Sequence, residues 1–312
     1  MILTITMNPS IDMSYSIEKL HLNDINRVSE VSKTAGGKGL NVARVIHELE
    51  GEVTASGILG GYLGEQIKEQ LNIAGISHNF YPIAQETRNS IAVLHDGGKQ
   101  TEILEAGPTV TTKEIEGFLS AFEQLIDKAE WLTISGSLAQ GLPIDFYTQL
   151  VEIAKRSNVD TLLDASGKAL KEALKGNQKP KLIKPNLTEI TDLLGSKADF
   201  EQPTAIKNTL EHPLFQGVEW IVVTLGGDGA VVKYKNQFYQ ARLPKIDVVN
   251  PVGSGDATLA GLAYALSHFE SVEDVIKTGM TTGMLNALEP VTGHINKARF
   301  QELYNKIEVN PF

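Results

Sequence analysis

The stretch Asn250-Pro-Val-Gly-Ser-Gly-Asp-Ala-Thr258 lies between an apolar run, Ile246–Val249, and a helical pattern that extends to Leu266. A Gly-x-Gly turn at the start of a helix directs unpaired backbone N–H groups and the positive end of the helix dipole toward one point, which favours a phosphate there. The carboxylate of Asp256 would repel that phosphate, so its functional interpretation is a base that accepts a proton from an attacking hydroxyl. The alternative is an Asp that caps the helix, and this fragment alone leaves both open.

Apolar, β-rich runs alternate with helical patterns along most of the chain. This alternation predicts βαβ units around a mostly parallel sheet with helices on both faces. The predicted strands are Leu3–Met7, Val53–Ile58, Ser90–Leu94, Trp131–Ile134, Thr161–Leu163, Leu182–Ile183, Trp220–Thr224 and Ala230–Tyr234. The predicted helices are Leu40–Leu49, Gly64–Ala74, Lys113–Lys128, Pro143–Arg156, Lys168–Leu174, Leu187–Leu194, Ala257–Ser267 and Val272–Asn286. No internal repeat or flexible linker divides the chain, so we expect one α/β domain over residues 1–312.

Two polar, strand-like stretches, 13–31 and 87–105, interrupt this alternation. In the second, Ile91–Leu94 and Gln100–Leu104 flank the turn His95-Asp-Gly-Gly98, which predicts a β-hairpin. Such discontinuous segments can pair into a small sheet beside the main body, as a lid over a site does. A hairpin this short must pack on something else, either the chain's own core or a second subunit.

The composition excludes several function classes. A formal net charge of −10 argues against a nucleic-acid partner, although a few cations still suffice for a small phosphorylated ligand. The absence of cysteine excludes disulfides, thiolate catalysis and Cys-ligated metals, and the seven histidines lack metal-ligand spacing. No apolar run approaches the length of a membrane span and no signal-peptide pattern is present. We therefore expect a cytoplasmic protein with no membrane partner.

Two glycine-rich motifs suit a phosphorylated ligand. In Ala35-Gly-Gly-Lys-Gly-Leu-Asn-Val-Ala-Arg44 the glycines let backbone approach a ligand, while Lys38 and Asn41 supply a charge and an amide. The spacing of a Walker-type loop is absent, and a tight turn before a helix is the alternative. The turn within Val222-Val-Thr-Leu-Gly-Gly-Asp-Gly-Ala-Val231 suits a nucleotide, although an Asp-Gly β-hairpin is by itself the stronger explanation.

Polar side chains after predicted strands extend the candidate site. Within Lys184-Pro-Asn-Leu-Thr-Glu189, Asn186 and Glu189 share a helix face and can direct oxygens at one hydrated Mg²⁺, or they form a capping box. Asp12 suits sugar hydroxyls, and the guanidinium groups of Arg88 and Arg27 match a phosphate dianion. Each of these three residues is also typical of a surface or a turn.

In this order and spacing, the motifs resemble those of the ribokinase-like (phosphofructokinase B) carbohydrate kinases. Gly36-Gly-Lys-Gly-Leu-Asn41 and the 250–261 stretch resemble the two signatures of the family, and Asn186-Leu-Thr-Glu189 resembles its magnesium motif. Asn8-Pro-Ser-Ile-Asp12 and Thr292-Gly-His294 are similar to bacterial tagatose-6-phosphate kinases of the lactose and galactose route, and 1-phosphofructokinases share the first of these two motifs. The resemblance implies a three-layer α/β/α fold with a central, mostly parallel sheet and a small β-sheet lid.

The resemblance also implies a reaction, in which MgATP phosphorylates O1 of D-tagatose 6-phosphate to give D-tagatose 1,6-bisphosphate. It implies that Asp256 accepts the proton and that Gly253, Ser254 and Gly255 form an anion hole. Asn186 and Glu189 would hold Mg²⁺, largely through water. The residues implied on the ATP side are Lys184, Thr224, Gly226, Gly229 and Asn286. The residues implied on the sugar side are Asp12, Arg27, Gly37, Lys38, Asn41 and Arg88.

Two alternatives to this function stay open. One is phosphofructokinase activity on fructose 6- or 1-phosphate, because tagatose and fructose differ at a single ring hydroxyl. The other is a non-catalytic sugar-phosphate sensor, against which the presence of Asp256 and its neighbouring glycines argues. A homodimer formed through the lid is a further expectation.

Overall fold

The computed structural model describes residues 1–97, 99–195, 200, 202–268 and 271–312. Its strands are β1 Ile2–Thr6, β2 Ser10–Ser16, β3 Glu30–Gly36, β4 Val53–Gly60, β5 Ser77–Ile83, β6 Arg88–His95, β7 Lys99–Leu104, β8 Trp131–Ser135, β9 Asp160–Asp164, β10 Leu182–Ile183, β11 Trp220–Thr224, β12 Ala230–Tyr234, β13 Gln237–Arg242 and β14 Glu308–Pro311. Its α-helices are α1 Lys38–Glu48, α2 Gly61–Ile73, α3 Thr112–Ile126, α4 Phe146–Arg156, α5 Gly167–Lys175, α6 Leu187–Leu194, α7 Pro203–Leu210, α8 Ser254–Ser267, α9 Val272–Ala287 and α10 Phe300–Tyr304.

The large sheet has the strand order β14-β13-β12-β11-β10-β9-β8-β1-β4-β5. The strands from β11 to β5 in that order are parallel, and β12, β13 and β14 add an antiparallel edge. Successive residues of one strand point to opposite faces of the sheet and pack into different cores, as Leu162 and Leu163 of β9 do. This follows from the two-residue repeat of a strand.

Helices cover both faces of this sheet. One core contains buried residues of α1, α2, α8 and α9, and the other contains buried residues of α3 to α7. The three-layer α/β/α fold with a mostly parallel sheet is therefore confirmed. No helix in the part of the chain that the structure describes has the length and apolar character needed to cross a membrane.

A second sheet of four strands has the order β3-β2-β6-β7. The residues of one face alternate with those of the other, so Asp12, Ser14 and Ser90 lie toward a large cavity that they line. The opposite face carries Ile91 and Ile103, which pair in register, and Ile103 is 57% exposed. The side of the lid that faces the cavity is mostly polar, with Leu94 and Leu104 among the apolar exceptions, whereas the opposite side carries exposed apolar side chains.

Some predicted boundaries differ from the structure. The stretch 13–31 is not strand-like throughout, because β2 and β3 cover 10–16 and 30–36 and leave no strand between them. The edge strands β5 and β14, the strand β13 beside β14 and the short helix α7 have few fully buried residues, so their sequences lack the apolar runs that identified the other elements. In the 95–98 hairpin turn, Gly98 lies outside the described residues.

Candidate active site

The carboxyl ends of the parallel strands and the lid enclose a cavity of about 1470 Å³. A smaller cavity of about 200 Å³ adjoins it and shares Gly37, Lys38 and Arg88 with it. In the described residues, the buried atoms Asn8 Oδ1 and Ser135 Oγ, from residues that line the small cavity, have no hydrogen-bond partner. Buried polar atoms without partners are typical of a site that a polar ligand or water completes.

The turn before α8 has the geometry of an anion hole. Gly253 is the N-cap and has φ 82°, which closes the turn and starts the helix three residues before the predicted Ala257. Within the described residues, the N–H groups of Gly253, Gly255 and Asp256 have no hydrogen-bond acceptor outside the helix. The N–H of Ser254, expected in the anion hole, instead donates to Pro251 O at 3.2 Å. The unpaired amides are therefore those on either side of Ser254.

Asp256 is the third residue of α8, and its side chain makes no capping hydrogen bond. Its Oδ2 accepts a hydrogen bond of 2.8 Å from Asn41 Nδ2, and only 6% of the residue is exposed. Burial raises the pKa of Asp256 to about 6, because Lys38, Asn41 and Lys184 only partly offset the loss of water and Asp164 adds a like charge. A carboxyl with this pKa is ionised at neutral pH and still basic enough to accept a proton.

Asp164, which the sequence analysis missed, holds two lysines at the site. It ends β9, is 2% exposed, and its Oδ2 lies 3.4 Å from Lys184 Nζ and 3.7 Å from Lys38 Nζ. The nearby charge of Asp164 raises the pKa of Lys38. The ammonium of Lys184 is beside the anion-hole turn, since a Cβ built on Gly255 would lie 3.2 Å from it. The only sequence signal for Asp164 was its position at the carboxyl end of a predicted parallel strand.

Asn186 and Glu189 form a capping box at the start of α6. Asn186 Oδ1 accepts from Glu189 N at 2.8 Å, and Glu189 Oε2 accepts from Asn186 N at 2.9 Å. Both side chains also line the large cavity, so each retains lone pairs for a cation. No group of three or more His, Asp or Glu residues that could hold a metal lies in the described chain. The donors present fit a cation that keeps most of its water, as Mg²⁺ does.

One side of the large cavity combines residues predicted on the ATP side with apolar side chains. Thr224, Gly226 and Gly229 line it, and β11 and β12 form the antiparallel hairpin that the sequence allowed. A set of apolar side chains that the sequence analysis missed lines the same cavity: Val248, Val249, Val252, Met284, Ala287 and Val291. Loops at 248–252 and 290–292 bring these residues together with α9.

Asn286 differs from its expected position on the ATP side. It is fully buried and does not line either cavity described above. Its Nδ2 donates to Val252 O at 2.8 Å, and its Oδ1 accepts from Gly293 N at 2.8 Å. Asn286 therefore connects the anion-hole turn to the loop at Gly293 through hydrogen bonds, without lining the cavity.

Asp12 and Arg88 lie on the lid side of the cavity. Asp12 Oδ1 accepts a 2.7 Å bond from Ser10 Oγ, and burial raises the pKa of Asp12. Arg88 donates from Nε to Asn8 O and from Nη1 to Glu105 O, and within the described residues Nη2 has no partner. Burial lowers the pKa of Arg88, and the nearby charges of Asp12 and Glu105 offset only part of that effect. An anion in the adjoining small cavity would supply the remaining compensation.

The structure brings together all the predicted sugar-side residues except one. Asp12, Gly37, Lys38, Asn41 and Arg88 line the large cavity. Arg27 is exposed in the segment between β2 and β3 and lines neither cavity. Its role as a phosphate ligand stays a prediction.

Comparison with protein families and solved structures gives a consistent result. The pfkB family of carbohydrate kinases matches residues 1–299. A putative phosphofructokinase from Staphylococcus aureus is 28% identical, with a TM-score of 0.86 over 100% of this chain and 99% of that chain. Phosphofructokinase-2 from Escherichia coli, in complex with potassium, is 27% identical, with a TM-score of 0.89 over 97% and 98% of the two chains.

A possible 1-phosphofructokinase from Thermotoga maritima is 25% identical, with a TM-score of 0.87 over 100% of this chain and 99% of that chain. Other structures of the E. coli protein hold fructose 6-phosphate, or substrates and products, and one is a tetrameric inhibited form. Similarity over the whole length means that the lid and the main sheet are both part of the match.

Proposed function

The chain belongs to the pfkB family of carbohydrate kinases, and from that premise we propose that it transfers the γ-phosphoryl group of ATP to the free primary hydroxyl of a ketohexose monophosphate. The products are a ketohexose bisphosphate and ADP. The observation that carries the proposal is the buried carboxylate of Asp256 beside the unpaired N–H groups of Gly253 and Gly255. This arrangement joins a proton acceptor to a seat for the transferring group.

Asp256 is the residue proposed to act on the acceptor. Its pKa of about 6 lets the ionised carboxylate take the hydroxyl proton as the sugar oxygen attacks phosphorus in line. The P–O bond to ADP breaks as the new P–O bond forms. The turn amides and the positive end of α8 stabilise the negative charge on the transferring phosphoryl oxygens.

Cations near the turn would balance the charge of ATP. Lys184 is buried next to Gly255 and is held by Asp164, so its ammonium cannot turn away from the phosphates. Kinases of this family use ATP with a divalent metal, and Asn186 and Glu189 are the residues proposed to hold it, largely through water. When bound, such an ion neutralises phosphate charge.

The sugar is proposed to lie between the lid and the end of β1. Asp12 would accept hydrogen bonds from ring hydroxyls, and the backbone at Gly36 allows close approach because a Cβ there would overlap Asp12. The free Nη2 of Arg88 and the small cavity beside it favour the phosphate that the sugar already carries. Closure of the lid would exclude water, which otherwise competes as an acceptor.

Three ketohexose phosphates are candidate substrates. The similar structures are named as phosphofructokinases, which favours fructose 6-phosphate or fructose 1-phosphate. The C-terminal motif Thr292–His294 supports the third candidate, D-tagatose 6-phosphate phosphorylated at O1, as in lactose and galactose catabolism. A site that hydrogen-bonds the ring hydroxyl of one epimer can discriminate strongly between the two.

A panel of substrates tests both levels of this proposal. ADP release with MgATP is measured for fructose 6-phosphate, fructose 1-phosphate and D-tagatose 6-phosphate, with Asp256→Asn as the matched inactive control. Turnover with any one of them supports the kinase, and the ranking of kcat/KM identifies the substrate. Binding of sugar phosphate without turnover would support the non-catalytic sensor and contradict the kinase.

The lid is the proposed site of self-association. Its outer face exposes Ile103 and 48% of Val31, and the registered neighbours Tyr15 and Ile91 continue the same apolar surface. A second copy of this chain, with the same surface, would bury it in an isologous dimer. The E. coli relative, which forms a tetramer in its inhibited form, supports association in general.

A further inference from the structure

Helix α1 carries a polar stripe that leads away from the proposed base. Lys38, Asn41, Arg44 and Glu48 are three or four residues apart and share one face of the helix. Lys38 and Asn41 reach the site, but Arg44 is 8% exposed and lines neither cavity. A guanidinium is rarely buried unless its donors are satisfied. The hydrogen-bond acceptors of Arg44 therefore show which segments of the chain it connects.

Three segments meet at this guanidinium. Nη2 donates to Ala35 O at 2.5 Å, and Nη1 donates to Asn41 Oδ1 at 3.2 Å and to Thr292 O at 3.3 Å. Ala35 belongs to lid strand β3, and Thr292 packs against the anion-hole turn, since a Cβ on Gly253 would lie 2.6 Å from Thr292 Cγ2. Arg44 thus connects the lid, helix α1 and the turn.

The contact with Asn41 decides which way its carboxamide points. A guanidinium has donors only, so it selects the orientation in which Asn41 Oδ1 faces Arg44. The Nδ2 group must then face Asp256 Oδ2, where it donates the observed 2.8 Å bond. In the opposite orientation an amide oxygen would meet Asp256, which is favourable only when that carboxyl is protonated.

We propose that Arg44 is a positioning residue that fixes the Asn41 carboxamide toward Asp256 and ties this pair to the lid strand and the anion-hole turn. The proposal rests on the proposed function, because it concerns the base of that reaction. Arg44 lines neither cavity and touches none of the reacting atoms, so its effect on Asp256 is transmitted through Asn41, while its charge also interacts with Asp12 and Glu48.

As a consequence, the pKa of the proposed base Asp256 depends on Arg44. The hydrogen bond from Asn41 lowers the pKa of Asp256, so its loss raises that pKa further. The other charged groups that face Asp256 are Lys38 on α1, Asp164 at the end of β9 and Lys184 after β10. All three remain when Arg44 is replaced.

The first test is the pH profile of Arg44→Met, which has no donor. Loss of a hydrogen bond to a carboxylate should move the acidic limb of kcat upward by about one pH unit. With a limb at about 6, the expected loss of kcat is about five-fold at pH 6 and less than two-fold at pH 8, and KM for ATP should change little. An unshifted limb overturns the proposal.

Two further variants distinguish the positioning role of Arg44 from an effect of its charge and from an effect of the packing of helix α1. Arg44→Lys keeps the charge without the planar fork, so its limb should lie between those of the parent protein and Arg44→Met. Glu48 lies on the same helix as Arg44, and Glu48→Ala removes its 2.6 Å contact with His294 and its 2.7 Å contact with Ile295 N in the loop after α9, but leaves Asn41 in place. It should lower thermal stability without moving the limb. A wild-type limb in Arg44→Lys, or a shifted one in Glu48→Ala, contradicts positioning.

A double-mutant cycle with Asn41→Ala provides the decisive comparison. If Arg44 acts through Asn41, Arg44→Met should add no shift in the Asn41→Ala background. An equal shift in both backgrounds overturns the proposal. Absence of turnover by the parent protein with every sugar phosphate would instead refute the proposed function.

Thermal unfolding monitors the same titration of Asp256 without an activity assay. The difference in thermal midpoint between each protein and its Asp256→Asn variant is recorded against pH, and it levels off above the pKa of Asp256. In the Arg44→Met background the difference should level off at a higher pH. An unchanged profile overturns the positioning role whether or not the protein is a kinase.

Discussion

Replacement of Asp256 by asparagine should lower the rate and raise the stability of the protein at the same time. Asparagine keeps the shape and a hydrogen bond to Asn41 but cannot accept the proton of the sugar hydroxyl. We expect kcat to fall about 10²–10⁴-fold, the usual contribution of a general base. Affinity for MgATP should be kept or slightly increased, since a negative charge near the γ-phosphate is lost.

The gain in stability follows from the pKa of the buried carboxyl. Its folded value of about 6 exceeds the unfolded value of 3.8, so ionisation of Asp256 opposes folding above this range. A difference of about two pKa units corresponds to about 3 kcal/mol at pH 8, and the same linkage gives about 1 kcal/mol at pH 4.5. Asparagine carries no charge, so the variant should gain that amount.

Steady-state kinetics and thermal unfolding at pH 8 and pH 4.5 measure both effects. The variant should unfold a few degrees higher at pH 8, and the difference should shrink at pH 4.5, where Asp256 is largely protonated in the folded parent. Near-normal turnover would refute the base assignment. A stability gain that does not decrease at low pH would refute the buried, titrating carboxylate.

Four further predictions concern other parts of the site. Arg88→Ala should raise KM for the sugar phosphate at least about ten-fold through loss of a charge-assisted contact, and an equal rise in KM for ATP would contradict this. Asp164→Asn removes a like charge and should lower the pKa of Asp256, so the acidic limb of kcat should move to lower pH. The same variant should lower the thermal midpoint, because Lys184 loses its buried partner. A limb that moves to higher pH would contradict this geometry. Glu189→Gln can keep the capping box while weakening metal binding, so the Mg²⁺ concentration for half-maximal rate should rise with little change in thermal midpoint, and an unchanged Mg²⁺ dependence would remove Glu189 from the metal site. Ile103→Asp on the outer lid face should convert a dimer to monomers in sedimentation velocity, and a parent protein that sediments as a monomer would contradict association through the lid.

The order of helices and strands was accessible from the sequence because it depends on local patterns. Eight predicted strands and eight predicted helices correspond to observed elements, and β10, β11, β12 and α6 agree in both bounds. Periodicity works for elements that bury a face in the main sheet or its helices. It fails for the edge strand β14 and its neighbour β13, which have few buried residues and partners that no local pattern specifies.

Motifs whose hydrogen bonds join residues close together in the sequence were also predictable. The capping box of Asn186 and Glu189 and the glycine turn at Gly253 are made by residues within a few positions of one another. Their hydrogen bonds need no distant partner, so residue type and spacing determine them. The resemblance to a kinase family added the roles, which the local geometry alone left open.

The sequence by itself thus determined the order of the elements, the turns and the caps, while the tertiary structure decided which of these motifs meet. Asn41 and Asp256 are 215 residues apart and form a direct hydrogen bond. Asp164 joins Lys38 and Lys184 only because β9 lies between β8 and β10. Asn286 lies behind the turn, and Arg27 lies outside both cavities. The physical reason is that spacing along a chain fixes contacts over a few residues, whereas contacts between strand ends depend on the order in which the strands pair.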